Sequence, residues 1–127
     1  MQITESVIEI AATQARREFE YKPDELDRDL LAGLYRAYNP SVQDTSEFVE
    51  EAIKSFPEGA CGLASLYIQY LLNGEGEVSH RGYVLNRQRH GHTVLVLAEL
   101  GLISCITSDQ FGGPSIYVGP FCEPYVD

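Results

Sequence analysis

The sequence predicts an α+β domain, with helices in the N-terminal half and a small antiparallel sheet built from the C-terminal half. Three observations predict it. Apolar residues recur at helical spacing up to residue 72, and from His92 the period changes to two. Before that change lies a run of twelve residues, Cys61 to Leu72, in which only Ser65 and Gln69 are clearly polar. Such a run is a helix buried on most of its surface, and the sheet is expected to lie against it.

Taken in order, residues 3–20 read as an amphipathic helix with Val7, Ile8, Ile10, Ala11, Ala15 and Phe19 inward, stopped at Lys22-Pro23-Asp24. Asp24 or Asp27 caps a second helix through about Tyr38, with Leu26, Leu30, Leu31, Leu34 and Tyr35 at helical spacing and Asn39-Pro40 at its end. Thr45-Ser46-Glu47 starts a short acidic helix, with Phe48, Val49, Ala52, Ile53 and Phe56 inward. After the Cys61 helix, Asn73-Gly74-Glu75-Gly76-Glu77 is a turn or loop, and GYVLN up to Asn86 is a short strand. His92 to Ala98 is a strand apolar on both faces, Leu102 to Thr107 returns as a second, and Gly112-Gly113-Pro114 separates a third, Ser115 to Val118.

The chain of 127 residues suits one domain, 1–127, built around one core. Its formal net charge of -10 argues against a nucleic-acid partner, because phosphate binding needs a surplus of Lys and Arg on some face. No apolar window reaches the length of a membrane span, and the N-terminal residues mix charges among apolar positions where a signal peptide would carry a continuous apolar core. The expectation is a soluble, cytoplasmic protein, or an effector exported by a dedicated machine. Cys61, Cys105 and Cys122 make an odd number of cysteines without a CxxC pair, so reduced thiols are expected in place of a disulfide framework.

Pro57-Glu58-Gly59-Ala60 is turn chemistry, and Cys61 follows where that turn meets the apolar helix. Backbone N–H groups at a helix N-terminus stabilise thiolate over thiol, which makes Cys61 a candidate nucleophile and Gly59, Ala60 and Gly62 the surroundings of an oxyanion site. The alternative is a packed core cysteine. If the first strand pair closes with two residues at Leu100-Gly101 or four at Glu99 to Leu102, paired numbers sum to 201. His92 then lies opposite Asp109, with Cys105 on the same sheet face. Imidazole beside carboxylate is the base and orienter that a thiol nucleophile requires.

The segment SHRGYVLNRQRHGH concentrates His80, Arg81, Arg87, Arg89, His90 and His92 in an otherwise acidic chain. It reads as a flexible basic loop, or as a patch guiding an acidic segment of a partner; Arg89 and His90 within it, and Gln110 of TSDQF, are candidate substrate-binding residues. A zinc set from His90, His92 and either Cys61 or Cys105 lacks a paired CxxC spacing, and neither metal nor cofactor is expected.

FPEGACGLAS, followed by GHTVLVLAELGLISCITSDQF, resembles the bacterial transglutaminase-like and papain-like cysteine hydrolase superfamily, in particular small proteins carrying FPxGxCGxxS, later HAW, and then DITxDQF. The resemblance spans roughly residues 56–112. It implies a papain/transglutaminase-like core with Cys61 as nucleophile, His92 as general base, and an acid at the head of the DIT triplet orienting the histidine. This chain departs there, since its triplet is Cys105-Ile106-Thr107, and the Trp after the histidine is absent as well. A thiol is no substitute for an anionic acceptor. Either Asp109 takes over, or activity is reduced, or the protein has become a binding module. The expected function is a cysteine-nucleophile amide hydrolase or acyltransferase, a protein glutamine deamidase or thiol protease acting on a protein or peptide; the alternative is a catalytically degenerate member of the same fold that binds a protein partner.

Overall fold

The computed structural model describes residues 2–85 and 88–120, and among these the side chains of 2–80 and 91–120. Four α-helices come first: α1 (Glu5–Tyr21), α2 (Arg28–Tyr38), α3 (Thr45–Ser55) and α4 (Cys61–Leu71). Three of them begin at a side-chain cap. Thr4, Asp27 and Asp44 each accept from the backbone N–H three residues on, which satisfies a donor that the first turn leaves unpaired.

The buried face of α1 is Ile8, Ala11, Ala12, Ala15, Arg16 and Phe19, a stripe at spacings of three and four. Ile10, expected inward, is 69% exposed. It sits two residues beyond Ile8, about 200° around the helix, so the stripe turns it to solvent. Arg16, an unexpected member, is 7% exposed. In α4 the continuous stretch Leu63 to Ile68 is buried, as the apolar run predicts.

The strands form one antiparallel sheet in the order β1-β2-β3-β4, with β1 (Glu77–Leu85), β2 (Gln88–Leu97), β3 (Leu102–Cys105) and β4 (Tyr117–Pro120). The architecture is α+β. Four details differ from the sequence expectation. The basic segment is no loop over its described backbone, because β1 and β2 pair from Glu77↔Val96 to Leu85↔Gln88. The β2–β3 pairing runs Leu95↔Ser104, Val96↔Ile103 and Leu97↔Leu102, so paired numbers sum to 199, not 201. The connection is a 3₁₀ turn, Ala98–Leu100, closed by Gly101 in the left-handed region at φ 67, and it begins one residue earlier than the four-residue alternative. β3 ends at Cys105, and β4 lies two residues later than expected.

The odd parity survives, so the faces of β2 divide as expected for period two. Leu95 and Leu97 join Ile106 and the helices in the main core, while Val94 and Val96 pack with Ile103, Cys105 and Phe111 in a second, smaller cluster. α4 crosses β2, with the Ser65 hydroxyl 3.4 Å from the Thr93 carbonyl. Among the described residues, no helix is long and apolar enough to cross a membrane.

Candidate active site

The turn ahead of α4 is set by Ser55, whose Oγ lies 2.7 Å from the Glu58 carbonyl, and by Gly59 at φ 73, where only glycine is unstrained. Ala60 occupies the N-cap position and is fully buried, and no side chain caps α4. The first-turn N–H groups are therefore unclaimed by a capping oxygen, which is the local chemistry an oxyanion site requires. Cys61 stands there half-buried with a free thiol. Gly62 lies under the Tyr35 ring, with room for a methyl group at ordinary contact distance.

His92 is 2% exposed and is held at both ring nitrogens. Its Nε2 lies 3.0 Å from Cys105 Sγ, and its Nδ1 lies 3.5 Å from Gln110 Nε2. Gln110 also donates to Thr107 Oγ1 at 3.3 Å, and the Phe111 ring meets the imidazole edge to face at 5.0 Å. With the Gln110 amide donating to Nδ1, the single proton of a neutral ring sits on Nε2 and points at the Cys105 sulfur; this tautomer is assigned from the network.

Burial pushes the His92 pKa down to about 4, with His80 adding to the shift. The ring is neutral at pH 7. Burial also pushes the Cys105 thiol up, so Cys105 meets His92 as an uncharged group and gives an imidazolium no anionic partner. Cys61 lies within electrostatic reach of Cys105 and of Tyr38, whose phenol is pushed up by burial first and by its tyrosine and cysteine neighbours after that. Among the described residues no hydrogen bond joins Cys61 to His92.

Asp109 takes a place other than the one expected. Its two carboxylate oxygens accept from Arg16 Nη1 and Nη2, each at 2.8 Å, where the register of 201 put them on the imidazole. With the register at 199, the position facing His92 is that of Thr107. The chain leaves β3 just before it and coils into the 3₁₀ turn Ser108–Phe111, which swings Asp109 towards α1. Cys105 and His92 do share a sheet face and touch, as the parity predicts, but it is the face of Val94 and Val96, opposite the one that Leu95 and Leu97 turn to the helices. Gln110, expected to face substrate, instead turns its amide to the imidazole.

Two residues of the site went unread in the sequence. Tyr38, at the last turn of α2, lies within electrostatic reach of the thiol, and Arg16 holds the segment that follows β3. An arginine among apolar helix positions normally reads as a solvated charge, so only the acid ninety-three residues away betrays it. The backbones of Arg89 and His90 pair with Val84 and Tyr83, but their side chains lie outside the described residues, as does Cys122. Compared with known proteins, the chain matches no family model, no curated protein and no solved structure.

Proposed function

We propose that the protein is a cysteine-dependent amide hydrolase or acyltransferase, of the protein glutamine deamidase or peptidase kind, in which Cys61 is the nucleophile and His92 the proton-transfer group. One observation carries this reading. A buried imidazole is held at both nitrogens by Cys105 and Gln110, and that Cys105 lies within electrostatic reach of a half-exposed thiol at an uncapped helix N-terminus.

In the reaction, the Cys61 sulfur adds to the amide carbon, and the oxygen takes up negative charge against first-turn N–H groups of α4. His92 takes the thiol proton at Nδ1 and returns it to the leaving nitrogen, which departs as ammonia or an amine. Water or an acceptor amine then releases the acyl group and regenerates the thiol. The Gln110 contact at Nδ1 is long, at 3.5 Å, and a proton arriving there displaces a weak bond.

A second reading, a protein-binding module that has lost its chemistry, is favoured by the missing carboxylate at residue 105. An imidazole with a pKa of about 4 is a weak base, and Cys105 beside it offers a thiol in place of a carboxylate. Mass spectrometry of the protein mixed with a glutamine-containing peptide ester separates the two. The hydrolase reading expects a thioester on Cys61 that is absent in Cys61→Ala, and turnover lowered by at least about a thousandfold in that variant. No adduct on Cys61, with turnover unchanged on its removal, leaves the binding module.

A further inference from the structure

Arg16 is 7% exposed and has a partner in every direction. Nη1 donates to the Ile106 carbonyl and to Asp109 Oδ1, each at 2.8 Å, Nη2 donates to Asp109 Oδ2 at 2.8 Å, and Nε donates to Glu20 at 2.6 Å. The guanidinium carbon also lies 4.9 Å from the centre of the Phe56 ring, which itself stacks on Phe19 at 5.1 Å. These partners belong to two separate segments. Ile106 and Asp109 bracket Thr107 and Ser108, with Cys105 just before and Gln110 just after, so they bound the stretch that holds His92. Phe56 opens the turn that delivers Cys61.

We infer that Arg16 is a positioning residue for the proposed chemistry: one planar cation fixes the segment that orients His92 and, through Phe56, the turn that presents Cys61. The inference rests on the reading of Cys61 and His92 as the reacting pair. A guanidinium does this because it is flat enough to lie on the ring and carries a fork that matches the Asp109 carboxylate at two points. Lysine keeps the charge but neither stacks in that way nor binds at two points.

The test compares Arg16→Lys, Asp109→Asn and Glu20→Gln in the full chain, with nitrogen-15 NMR of the His92 ring and steady-state kinetics on the peptide ester. Glu20 hydrogen-bonds Arg16 and, among the described residues, neither segment, and glutamine keeps an acceptor for Nε, so Glu20→Gln leaves both readouts in place. Arg16→Lys and Asp109→Asn loosen Thr107 and Gln110. The His92 resonances then shift, its titration midpoint rises from about 4, and kcat falls about 10- to 100-fold with KM held within about twofold. If Arg16→Lys does not fold, Asp109→Asn decides by the same readouts. A folded variant with His92 resonances and midpoint unchanged overturns the inference and leaves Arg16 a purely structural clasp. If the unmodified protein turns over no amide, the proposed function fails while the ring resonances still decide the role of Arg16.

Discussion

The N-terminus of α4 and the junction of β2 with β3 hold the two halves of the proposed chemistry, and they are built on opposite plans. The helix end is open: Cys61 is half-exposed, no side chain caps the first turn, and backbone donors are left for whatever binds there. The sheet end is closed, with His92 2% exposed, both nitrogens engaged, a phenyl ring against its edge, and Cys105 equally buried. The contrast separates reach from orientation. The open end can meet substrate but orders little, whereas the closed end fixes a ring in place and in doing so lowers its basicity.

The largest effect that would break this contrast is one of pH. Folded His92 gives up its proton at about pH 4, the unfolded residue at about 6.5. Between those values the unfolded chain holds more protons, so stability falls as the pH falls, and the loss is complete below the folded value; it amounts to about 3 kcal/mol. Urea unfolding at pH 7 and pH 4 should show that loss in the native chain and a smaller one in His92→Gln. Equal losses would mean that the sheet end is not the closed, neutral site described.

Cys105→Asp should sharpen the contrast. A carboxylate about 3 Å from Nε2 favours the imidazolium where a neutral thiol does not, so the His92 midpoint rises and amide turnover rises by about tenfold. A raised midpoint without a gain in turnover would show that the orienting group is not what limits the open end.

The smallest effect lies at that open end. Gly59→Ala has room, with Ser55 Oγ as the nearest side-chain atom at 3.8 Å, and so costs only the left-handed backbone, about 1 kcal/mol. Gly62→Ala, inside α4 and in ordinary contact with Tyr35, should be neutral or stabilising by a few tenths of a kcal/mol. Thermal melting of the two variants checks the pair, and a Gly62→Ala variant as destabilised as Gly59→Ala would put the constraint in the helix, not in the turn.

Helices were the legible part of the sequence because their apolar stripes and Asp caps act locally: Asp27 and the buried run after Cys61 are where patterning puts them. The hairpin β1–β2 was legible only in part: GYVLN and His92 to Ala98 read as strands, but the residues between and before them carry Arg, His, Gly and Gln, and no apolar face announces the pairing. At the site, parity was enough to bring Cys105 to His92, because a shift of two residues preserves the face. The same shift was enough to lose Asp109, whose destination depends on where the strand ends and on an arginine in the first helix. Contacts between distant segments leave no period to read.

The Arg16–Asp109 pair also bears on how the chain comes into being. Its members are separated by 93 positions, and chain elongation proceeds at about 5–20 residues per second. A nascent α1 therefore carries its guanidinium for about 5–20 s before Asp109, which it binds at two points, has been made. For that interval Glu20, one turn on in the same helix, is the acid at hand for Arg16. The turn between β3 and β4 is what holds α1 at two points.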